Sequence, residues 1–483
     1  MAGIPEAERI SILQQFPFEF SSLPVRYLGL PLLTRKMTAS DYLPLVEKIR
    51  SQISTWTARA LSFAGRLQLL SSVVFSLTNF WISAFRLPKA CIRDIDKLCS
   101  AFLWSGPVLN PRKAKVAWKE VCTLKSEGGL GLRSIEEANK VSMLKLIWRL
   151  LSAKGSLWVD WVQQNMIRSG SFWAEKNNTT HGSWIWRKLL KYRDIAKQFH
   201  KVEVKDGKHS SFWFDSWSSL GRIIEKVGER GYIDLGIPKT ATVAEVMVME
   251  RRRIHRTDLL NQIEEEIKKQ RVYVREGEKD IALWKGDKGV YRNKFETRET
   301  WMQIRNIKPE IEEHKGIWFS HSTPKYLFIT WLVAKNRVAT GDSMFLWNQQ
   351  VNTSCVLCGD PMETIDHLFF VCNYSRKVWE DVAKQILQHK YSLNWRAILK
   401  LTCEEGSDNR RNFIIRYIFQ NTIHSVWSER NARRYGEQPS PVEKLIKMID
   451  KNMRNRLNTI GRGGRHKYGD GFQLWLASRQ SQV

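Results

Sequence analysis

The sequence predicts a mainly α fold with small β-hairpin elements, an α+β chain of several domains that includes a small zinc-stabilised helical module. Three features predict it: apolar residues at helical spacing, short β-rich runs around glycine turns, and cysteines clustered with a histidine near residue 360. A chain of 483 residues with 43% hydrophobic residues can hold about three ordinary domains with buried cores. A wholly disordered protein is therefore excluded.

The first 152 residues are predicted to form a helical region. Apolar residues recur there at the spacing of a buried helix face. The three runs are Val46, Ile49, Ile53 and Trp56 after a start at Ser40; Ile92, Ile95, Leu98, Cys99 and Phe102 after Pro88; and Val141, Leu144, Trp148 and Leu151. Between the last two runs lies Glu127-Gly-Gly-Leu-Gly-Leu132. A nucleotide-binding loop lies between a strand and a helix, and no such pair flanks this segment, so we interpret it as a turn.

One stretch of this region, Leu67 to Phe85, is uncharged and close to the length of a membrane span. It contains seven polar residues: Gln68, Ser71, Ser72, Ser76, Thr78, Asn79 and Ser83. Because this is too polar for a lone span, we predict a buried helix and no membrane partner. The N-terminal residues have no secretory signal pattern, so we expect an intracellular protein, in the nucleus rather than the cytoplasm.

The middle of the chain, residues 153–290, is predicted to mix helices with β-hairpins. Val202–Val204 and Ser211–Phe214 flank Asp206-Gly207, and Ile281–Trp284 and Val290–Phe295 flank the glycine turn at 286–289. Between these hairpins, Glu250 to Lys269 is highly charged and predicts a solvated helix. Its Arg251–Arg253 cluster is explained by exposure alone, although a phosphate contact or nuclear signal has the same pattern.

Four residues have the spacing of metal ligands. Cys355, Cys358, His367 and Cys372 follow the pattern C-x2-C-x8-H-x4-C. A C-x2-C turn presents two thiolates to one ion, and a His and Cys about one helical turn apart present the opposite edge of a tetrahedron. The pattern therefore predicts a structural Zn²⁺ ion with no open coordination position. The alternative to a metal site is that four ordinary Cys and His residues lie close together in the sequence by chance.

The charge of the chain indicates a polyanionic partner. Its 77 Lys and Arg against 49 Asp and Glu give a formal net charge of +28, which favours RNA or DNA. Residues 451–467 contain no acid, and their six basic residues are predicted to contact phosphates: Lys451, Arg454, Arg456, Arg462, Arg465 and Lys467. A disordered basic tail that binds nothing in particular is the open alternative.

A longer pattern surrounds the cysteine cluster: Thr323-Pro-Lys325, Trp331, Ala334, Asn336-Arg337, Thr340-Gly-Asp342, Cys355-x-x-Cys358-Gly359, Glu363-Thr364, His367-Leu-Phe-Phe-x-Cys372 and Trp379. Together these residues resemble the zinc-binding domain of plant non-LTR retrotransposon (long interspersed element) reverse transcriptases. Upstream, the post-polymerase region of the same polyproteins is similar to Leu23-Pro-Val-Arg-Tyr-Leu-Gly-Leu-Pro31, Trp56, Leu61-Ser-Phe-Ala-Gly-Arg66, Trp104-Ser-Gly106, Trp118 and Gly128-Gly-Leu-Gly-Leu132.

This resemblance implies four parts. They are a helical region resembling the thumb and connection (1–152), a mixed α/β middle region (153–290), the reverse-transcriptase zinc-binding domain (291–385) and a helical region with a basic tail (386–483). The expected function is that of a truncated element that binds zinc and nucleic acid. A domesticated module that binds a protein partner, an accessory fragment of a reverse transcriptase complex, and a decayed copy without function stay open, as does the oligomeric state.

We expect no catalytic residues and no enzyme activity from this chain alone. The polymerases that it resembles hold two Mg²⁺ ions with a Tyr-x-Asp-Asp turn, and this sequence contains no Asp-Asp pair. The nearest string, Tyr468-Gly-Asp-Gly471, has one carboxylate. Some plant relatives carry a terminal ribonuclease H domain with four metal-binding carboxylates, but the residues after Trp427 contain few acids and are too short for that fold. The endonuclease is not expected either.

The first prediction concerns this missing chemistry. Purified protein incubated with a primed RNA or DNA template, nucleotides and Mg²⁺ or Mn²⁺ should extend no primer, because no paired aspartates hold the catalytic metals. Primer extension that persists after removal of contaminating polymerases would contradict the prediction.

Overall fold

The computed structural model describes residues 5–16, 24–33, 35–56, 61–152, 155–168, 170–176, 182–250, 254–272, 277–404, 406, 408–462 and 470–480. The α-helices in these ranges, numbered α1 to α22 in chain order, are Glu6–Gln15, Ala39–Thr55, Phe63–Leu69, Phe75–Ala84, Lys89–Ser105, Trp118–Val121, Ile135–Ser152, Leu157–Asn165, Trp184–Lys197, Ile223–Val227, Gly231–Leu235, Val243–Val248, Asp258–Arg271, Thr297–Ile304, His314–Ile317, Pro324–Ala334, Gly341–Phe345, Asn373–Leu387, Trp395–Cys403, Asn409–Arg434, Val442–Arg462 and Gly471–Gln480. The strands β1 to β5 are Arg26–Tyr27, Leu30–Pro31, His200–Glu203, Ile281–Lys285 and Tyr291–Arg292. The predicted fold class, mainly α with small β elements, is confirmed.

The chain forms two compact units that alternate along the sequence. The first unit comprises Met1–Lys48, Ser76–Asp94 and Ile135–Asn306, and the second comprises Ile49–Phe75, Ile95–Ser134 and Ile307–Val483. The division into four consecutive parts stays a prediction.

The three helices predicted in the first 152 residues are present as α2, α5 and α7. Glu127-Gly-Gly-Leu-Gly-Leu132 is a turn, as predicted. Gly128 and Gly131 adopt positive φ angles of 83° and 76°, and a Cβ on Gly129 would lie 2.2 Å from the Thr123 carbonyl oxygen. Only glycine fits these three positions without strain.

The apolar stretch after Arg66 is helical from Phe63 to Ala84, with a π-helical turn at Leu70–Val74 between α3 and α4. By length and composition alone this helix could cross a membrane, and 28% of its most apolar window is buried. Six of its seven polar residues are exposed: Gln68, Ser71, Ser72, Ser76, Asn79 and Ser83. The helix therefore has a polar face, and only part of it is buried. The absence of a membrane partner stays a prediction.

The first unit contains a three-stranded antiparallel sheet of order β3-β4-β5. The predicted hairpin around residues 286–289 is confirmed, because β4 pairs with β5. The predicted hairpin around Asp206-Gly207 is wrong: β3 pairs with β4, about 80 residues away, with His200 opposite Trp284. In the run Ser211–Phe214, Ser211 forms an isolated antiparallel bridge with Thr242, and the next three residues form a turn that buries Phe212 and Trp213.

The aspartate that precedes β4 explains how the loop at Asp206-Gly207 is held. Both carboxylate oxygens of Asp280 accept hydrogen bonds from this loop: from the backbone N–H groups of Lys205 and Gly207 at 2.7 and 3.0 Å, and from the Ser210 hydroxyl at 2.7 Å. These partners are about 70 residues away in sequence, so local patterning could not reveal them.

Within the charged stretch from residue 250 to 269, helix α13 begins at Asp258, and it is only partly solvated. Leu260, Ile263 and Ile267 are buried, and so is Glu264, whose carboxylate lies 3.1 Å from the Nε2 atom of His255. The predicted solvated helix is therefore present from Asp258, and one of its faces is buried. The Arg251–Arg253 cluster lies outside the described residues.

The core of the second unit is formed by long helices packed around aromatic side chains. Helix α20 packs on α16, α18, α21 and α22. The ring of Phe370 meets the Trp379 ring edge-on at 5.1 Å and stacks on the Phe419 ring at 6.1 Å. Trp395 completes this cluster, 5.5 Å from Phe419. This core lies directly beside the predicted metal ligands.

Candidate metal centre

The predicted metal ligands are contributed by two short segments of the second unit. Cys355 and Cys358 lie on a tight turn in which the Gly359 N–H donates to the Cys355 carbonyl at 2.8 Å and the Cys355 N–H donates to the Asp360 carbonyl at 2.8 Å. Gly359 has a φ of 83°, which closes the turn. His367 and Cys372 lie at the two ends of a π-helical turn, His367–Val371.

The four side chains converge. One ligand atom from each of Cys355, Cys358, His367 and Cys372 lies within 4.8 Å of the other three. The Sγ atoms of Cys355 and Cys372 are 3.9 Å apart, and the Sγ of Cys358 is 3.2 Å from the Nε2 of His367. Thiolates bound tetrahedrally at about 2.3 Å from a zinc ion lie about 3.8 Å from each other. The cluster therefore has the dimensions of one tetrahedral site.

The π-helical turn explains how a histidine and a cysteine five residues apart face one point. In a regular α-helix, residues five apart point about 140° away from each other. Here the Cys372 N–H donates to the His367 carbonyl at 2.7 Å, five residues back, and the backbone becomes extended at Cys372 before α18 begins. This local unwinding turns the Cys372 sulfur toward the histidine.

The environments of the ligands differ. Cys355 and Cys372 are buried, the His367 side chain is 15% exposed and Cys358 is exposed, so solvent reaches the cluster from one side. The hydrogen bond from the Cys355 thiol, aided by the backbone N–H groups of Tyr374 and Ser375, lowers the pKa of Cys372. The same hydrogen bond and burial raise the pKa of Cys355, so Cys372 is the first of this pair to become the thiolate that a metal needs.

A buried ion pair connects the loop that carries the cysteines to helix α20. Glu363 lies between the two ligand segments and is completely buried, and the Arg430 side chain is 3% exposed. Both Glu363 oxygens accept from the Arg430 guanidinium, the shortest bond being 2.6 Å from Nη2, and Oε1 also accepts from the Gly341 N–H at 3.2 Å. The guanidinium also donates to the Ala339 carbonyl at 2.7 Å. The ion pair therefore fixes the loop between Cys358 and His367 against helix α20.

Two further arginines at the end of α20 donate to the same loop. Arg433 donates at 3.4 Å to the carbonyl of Leu357, which lies between Cys355 and Cys358. Arg434 donates to the Asn352 carbonyl at 3.3 Å. Arg433 also forms an ion pair with Glu429 at 2.8 Å. Sequence reasoning missed these residues. Arg433 and Arg434 lie three and four positions after Arg430, a spacing that places the three side chains on one face at the end of the helix.

The basic residues predicted for the C-terminal tail have different positions. Lys451 is exposed on α21, and Arg454 forms an ion pair with Asp450 at 2.8 Å. Arg456 donates to the carbonyls of His321 and Ser322 at 2.6 and 3.4 Å. It is therefore engaged within the second unit. The side chain of Arg462, and all of Arg465 and Lys467, lie outside the described residues.

Sequence reasoning also missed a cluster of cations in the first unit. Burial and then the like charges of Arg86, Lys191, Lys36 and Arg187 lower the pKa of Lys188 on helix α9. Lys188 lies 5.5 Å from the ring of Trp184, and Arg86 lies 5.8 Å from the ring of Tyr192. We call these five cations the α9 cluster. Lys36 and Arg86 lie about 100 to 155 positions before the three cations of α9, so only folding assembles the cluster.

Comparison with known proteins agrees with this geometry. Residues 295–379 match the model of the family described as "zinc-binding in reverse transcriptase". The chain contains a reverse-transcriptase zinc-binding domain. All four converging ligands lie inside the match, and the predicted relationship to plant reverse transcriptases is confirmed.

Two relatives are proteins of Arabidopsis thaliana. One, named "Putative ribonuclease H protein", is 32% identical over 199 residues, which is 41% of this chain and 32% of the relative. The other, an uncharacterized mitochondrial protein, is 25% identical over 143 residues, which is 29% of this chain and 92% of the relative. The chain thus spans about a third of the length of the first relative. The matched zinc-binding domain, residues 295–379, contains Glu363 but ends before Arg430.

The buried ion pair between Glu363 and Arg430 gives the second prediction. Glu363→Gln should lower the free energy of unfolding by about 3–5 kcal/mol, because it leaves the Arg430 charge buried without its counter-ion. Urea denaturation followed by tryptophan fluorescence measures the loss. The matched control is Glu380→Gln, which removes a surface ion pair with Lys384 and should leave the urea midpoint almost unchanged. Equal losses in the two variants would contradict the prediction.

Proposed function

We propose that this reverse-transcriptase-related protein binds one structural Zn²⁺ ion and binds RNA or DNA through basic surfaces, without polymerase or nuclease activity of its own. The convergence of three sulfurs and one imidazole nitrogen carries the first part of this proposal. The α9 cluster and the net charge of +28 carry the second part.

The donor set supports zinc over other metals. Thiolates and imidazole are soft or borderline ligands, which suit Zn²⁺ and disfavour Mg²⁺ and Ca²⁺. Four protein ligands complete a tetrahedron and leave no coordination position for a substrate, so the ion would stabilise the fold. Two of the ligands, Cys355 and Cys358, lie on the loop that Arg430 and Arg433 hold from α20, and His367 and Cys372 lie at the ends of the π-helical turn that follows.

The α9 cluster supports a polyanionic partner. Crowding of like charges costs free energy in the isolated protein, and a phosphate backbone would remove this cost. In the described part of the chain, Lys36, Arg187, Lys188 and Lys191 have no carboxylate partner within ion-pair distance. The neighbouring Trp184 and Tyr192 rings could stack on unpaired bases.

The third prediction is a zinc content of about one ion per chain. Atomic emission spectroscopy of protein purified without chelator should give this ratio. The double variant Cys355→Ser/Cys358→Ser should lose the ion and become susceptible to proteases around residues 350–380, because metal binding and local folding are coupled.

The control for zinc uses cysteines outside the cluster. Cys91→Ser/Cys99→Ala changes two buried cysteines of the helical region, and zinc content should stay at one per chain. A ratio near zero in the unmodified protein, or zinc retained by the Cys355→Ser/Cys358→Ser variant, would contradict the proposed site.

The fourth prediction concerns nucleic-acid binding. The affinity for a single-stranded oligonucleotide should fall steeply with salt, and each lost phosphate contact should reduce the log–log slope by about 0.7 to 0.9. The triple variant Arg187→Gln/Lys188→Gln/Lys191→Gln should therefore reduce the slope by up to about 2–3. Fluorescence anisotropy titrations at several salt concentrations measure both slopes.

Two comparisons make this test specific. The variant Lys226→Gln/Lys239→Gln/Lys279→Gln removes the same charge from exposed lysines of the first unit outside the α9 cluster, and its slope should change less. A variant of Arg462, Arg465 and Lys467 tests the predicted tail without disturbing Arg456. No measurable affinity of the unmodified protein at low salt would contradict nucleic-acid binding and favour a protein partner.

A further inference from the structure

A cavity of about 480 Å³ lies within the first unit, beside the three-stranded sheet. Its walls are formed by helices α7 and α8, the 3₁₀ turn Phe172–Ala174, strands β3 and β4 and the loop that follows Asp206. We call it the sheet cavity. Its volume is within the range of small-ligand sites. None of the residues that line it belongs to the α9 cluster.

His200, the first residue of β3, is a buried polar residue in the wall of the sheet cavity. It is 3% exposed, and its Nδ1 atom has no hydrogen-bond partner within the described ranges. Burial and then the charge of Arg222 lower the pKa of His200 to about 3, so the ring is neutral and has one donor and one acceptor. A buried polar atom without a partner is unfavourable, and a ligand that bonds to it removes this cost.

Asp215 lines the same cavity and has room for further hydrogen bonds. Its Oδ1 accepts from the Trp173 indole N–H at 2.9 Å, and its Oδ2 accepts from the Ser211 backbone N–H at 2.8 Å. Each carboxylate oxygen can accept a second bond. Burial raises the pKa of Asp215 to about 6 despite these donors, so the carboxylate is incompletely stabilised. The Trp173 ring also lies 5.2 Å from the His200 ring, so both polar groups contact one tryptophan.

The rest of the lining favours an uncharged ligand. Two lysines and three aspartates line the cavity in the described part of the chain, so it lacks the single-sign charge that would select a polyamine or a polyphosphate. Both oxygens of Asp280 already accept hydrogen bonds from the loop at Asp206-Gly207. Leu150, Leu151 and Ile167 supply an apolar wall. The cavity therefore suits a flat ring with hydrogen-bonding groups on its edge.

The hydrogen-bonding groups select among such rings. Asp215 offers two adjacent acceptors, and the neighbouring Ser211 hydroxyl, whose oxygen accepts from the Phe214 N–H at 3.3 Å, keeps its own O–H to donate. Of the four RNA bases, guanine has two adjacent N–H donors, N1–H and N2–H, beside the O6 acceptor. In adenine and cytosine the amino group lies beside a ring nitrogen without a hydrogen, and uracil has one N–H between two carbonyls.

We infer that the sheet cavity binds a guanine base, with Asp215 accepting from N1–H and N2–H, Ser211 donating to O6 and His200 bonding to a further polar atom of the base. The base belongs either to a free nucleotide or to an unpaired position of an RNA strand, and the test separates these two sources. This inference goes beyond the proposed nucleic-acid binding, because it does not depend on the α9 cluster.

The nucleotide arm of the test uses isothermal titration calorimetry at a pH of about 8, where Asp215 is ionised. Guanosine, inosine and adenosine monophosphates have the same phosphate, and inosine differs from guanosine only by the missing N2 amino group. The unmodified protein should bind guanosine monophosphate at least about tenfold more tightly than the other two, because these leave a buried acceptor of Asp215 without a donor.

Two variants test the assigned residues. Asp215→Asn should bind guanosine and inosine monophosphates with affinities within about twofold of each other, because an amide has one acceptor in place of two. His200→Phe keeps a ring and removes both nitrogens, so it should weaken guanosine monophosphate binding at least about fivefold without lowering the thermal unfolding midpoint. The matched control is Asp194→Asn, whose side chain is 78% exposed on α9, and it should keep the preference for guanosine.

A strand arm separates the two sources of the base. A labelled short oligouridine with one central guanosine is compared with an all-uridine strand of the same length at the same salt concentration. Tighter binding of the guanosine strand, lost in Asp215→Asn, identifies an unpaired guanosine of a strand as the ligand. Equal binding of the two strands, together with binding of guanosine monophosphate, identifies the free nucleotide.

Three results would overturn the inference. Absence of guanosine monophosphate binding at millimolar concentration would show that the cavity holds only water. Equal affinities for guanosine and inosine monophosphates would exclude the contact with Asp215, and tighter binding of arginine amide would assign the carboxylate to a guanidinium. The salt dependence of RNA binding and the α9 variant test the proposed function separately. If Asp215→Asn is unfolded, the comparison of the two nucleotides on the unmodified protein decides.

Discussion

The buried contact between Glu363 and Arg430 is the constraint on which the second unit depends. A completely buried carboxylate is costly unless it is paired, so the loop between the two ligand segments has one stable position, against the end of helix α20. That position places the Cys355–Cys358 turn beside the His367–Val371 turn. Helix α20 is 26 residues long, so the ligand segments are held against the end of a long helix.

The metal ligands and the aromatic core support each other. Leu368, Phe369 and Phe370, which follow His367 directly, are fully buried. The sequence analysis of the C-x2-C-x8-H-x4-C pattern predicted all four ligands, and the structure brings them together. A zinc ion would fix the ends of a short turn whose middle residues are core residues. Loss of the metal is then expected to disturb packing around Trp379 and Phe419 as well as the ligand loop.

Charge has two functions in this molecule that the sequence alone does not separate. Arg430, Arg433 and Arg456 are used internally, on carboxylates and backbone carbonyls. The cations of the α9 cluster instead lie close to one another, and their like charges help to lower the pKa of Lys188. The net charge of +28 counts both groups equally. Cations that are used internally are not available to phosphates, so the proposed binding should depend on fewer cations than the composition suggests.

The sequence by itself determined the mainly α class, the helices α2, α5 and α7, the turn at Gly128, the hairpin of β4 and β5 and the pattern of the four candidate ligands. In each case the signal is local: a helical repeat, a glycine turn, or candidate ligands within eighteen residues. Only the tertiary structure decided the pairing of β3 with β4, the burial of Glu264, the partner of Glu363 and the α9 cluster. These features join residues from about ten to about 155 positions apart, and the packing of distant segments, which no local pattern records, determines which side chains meet.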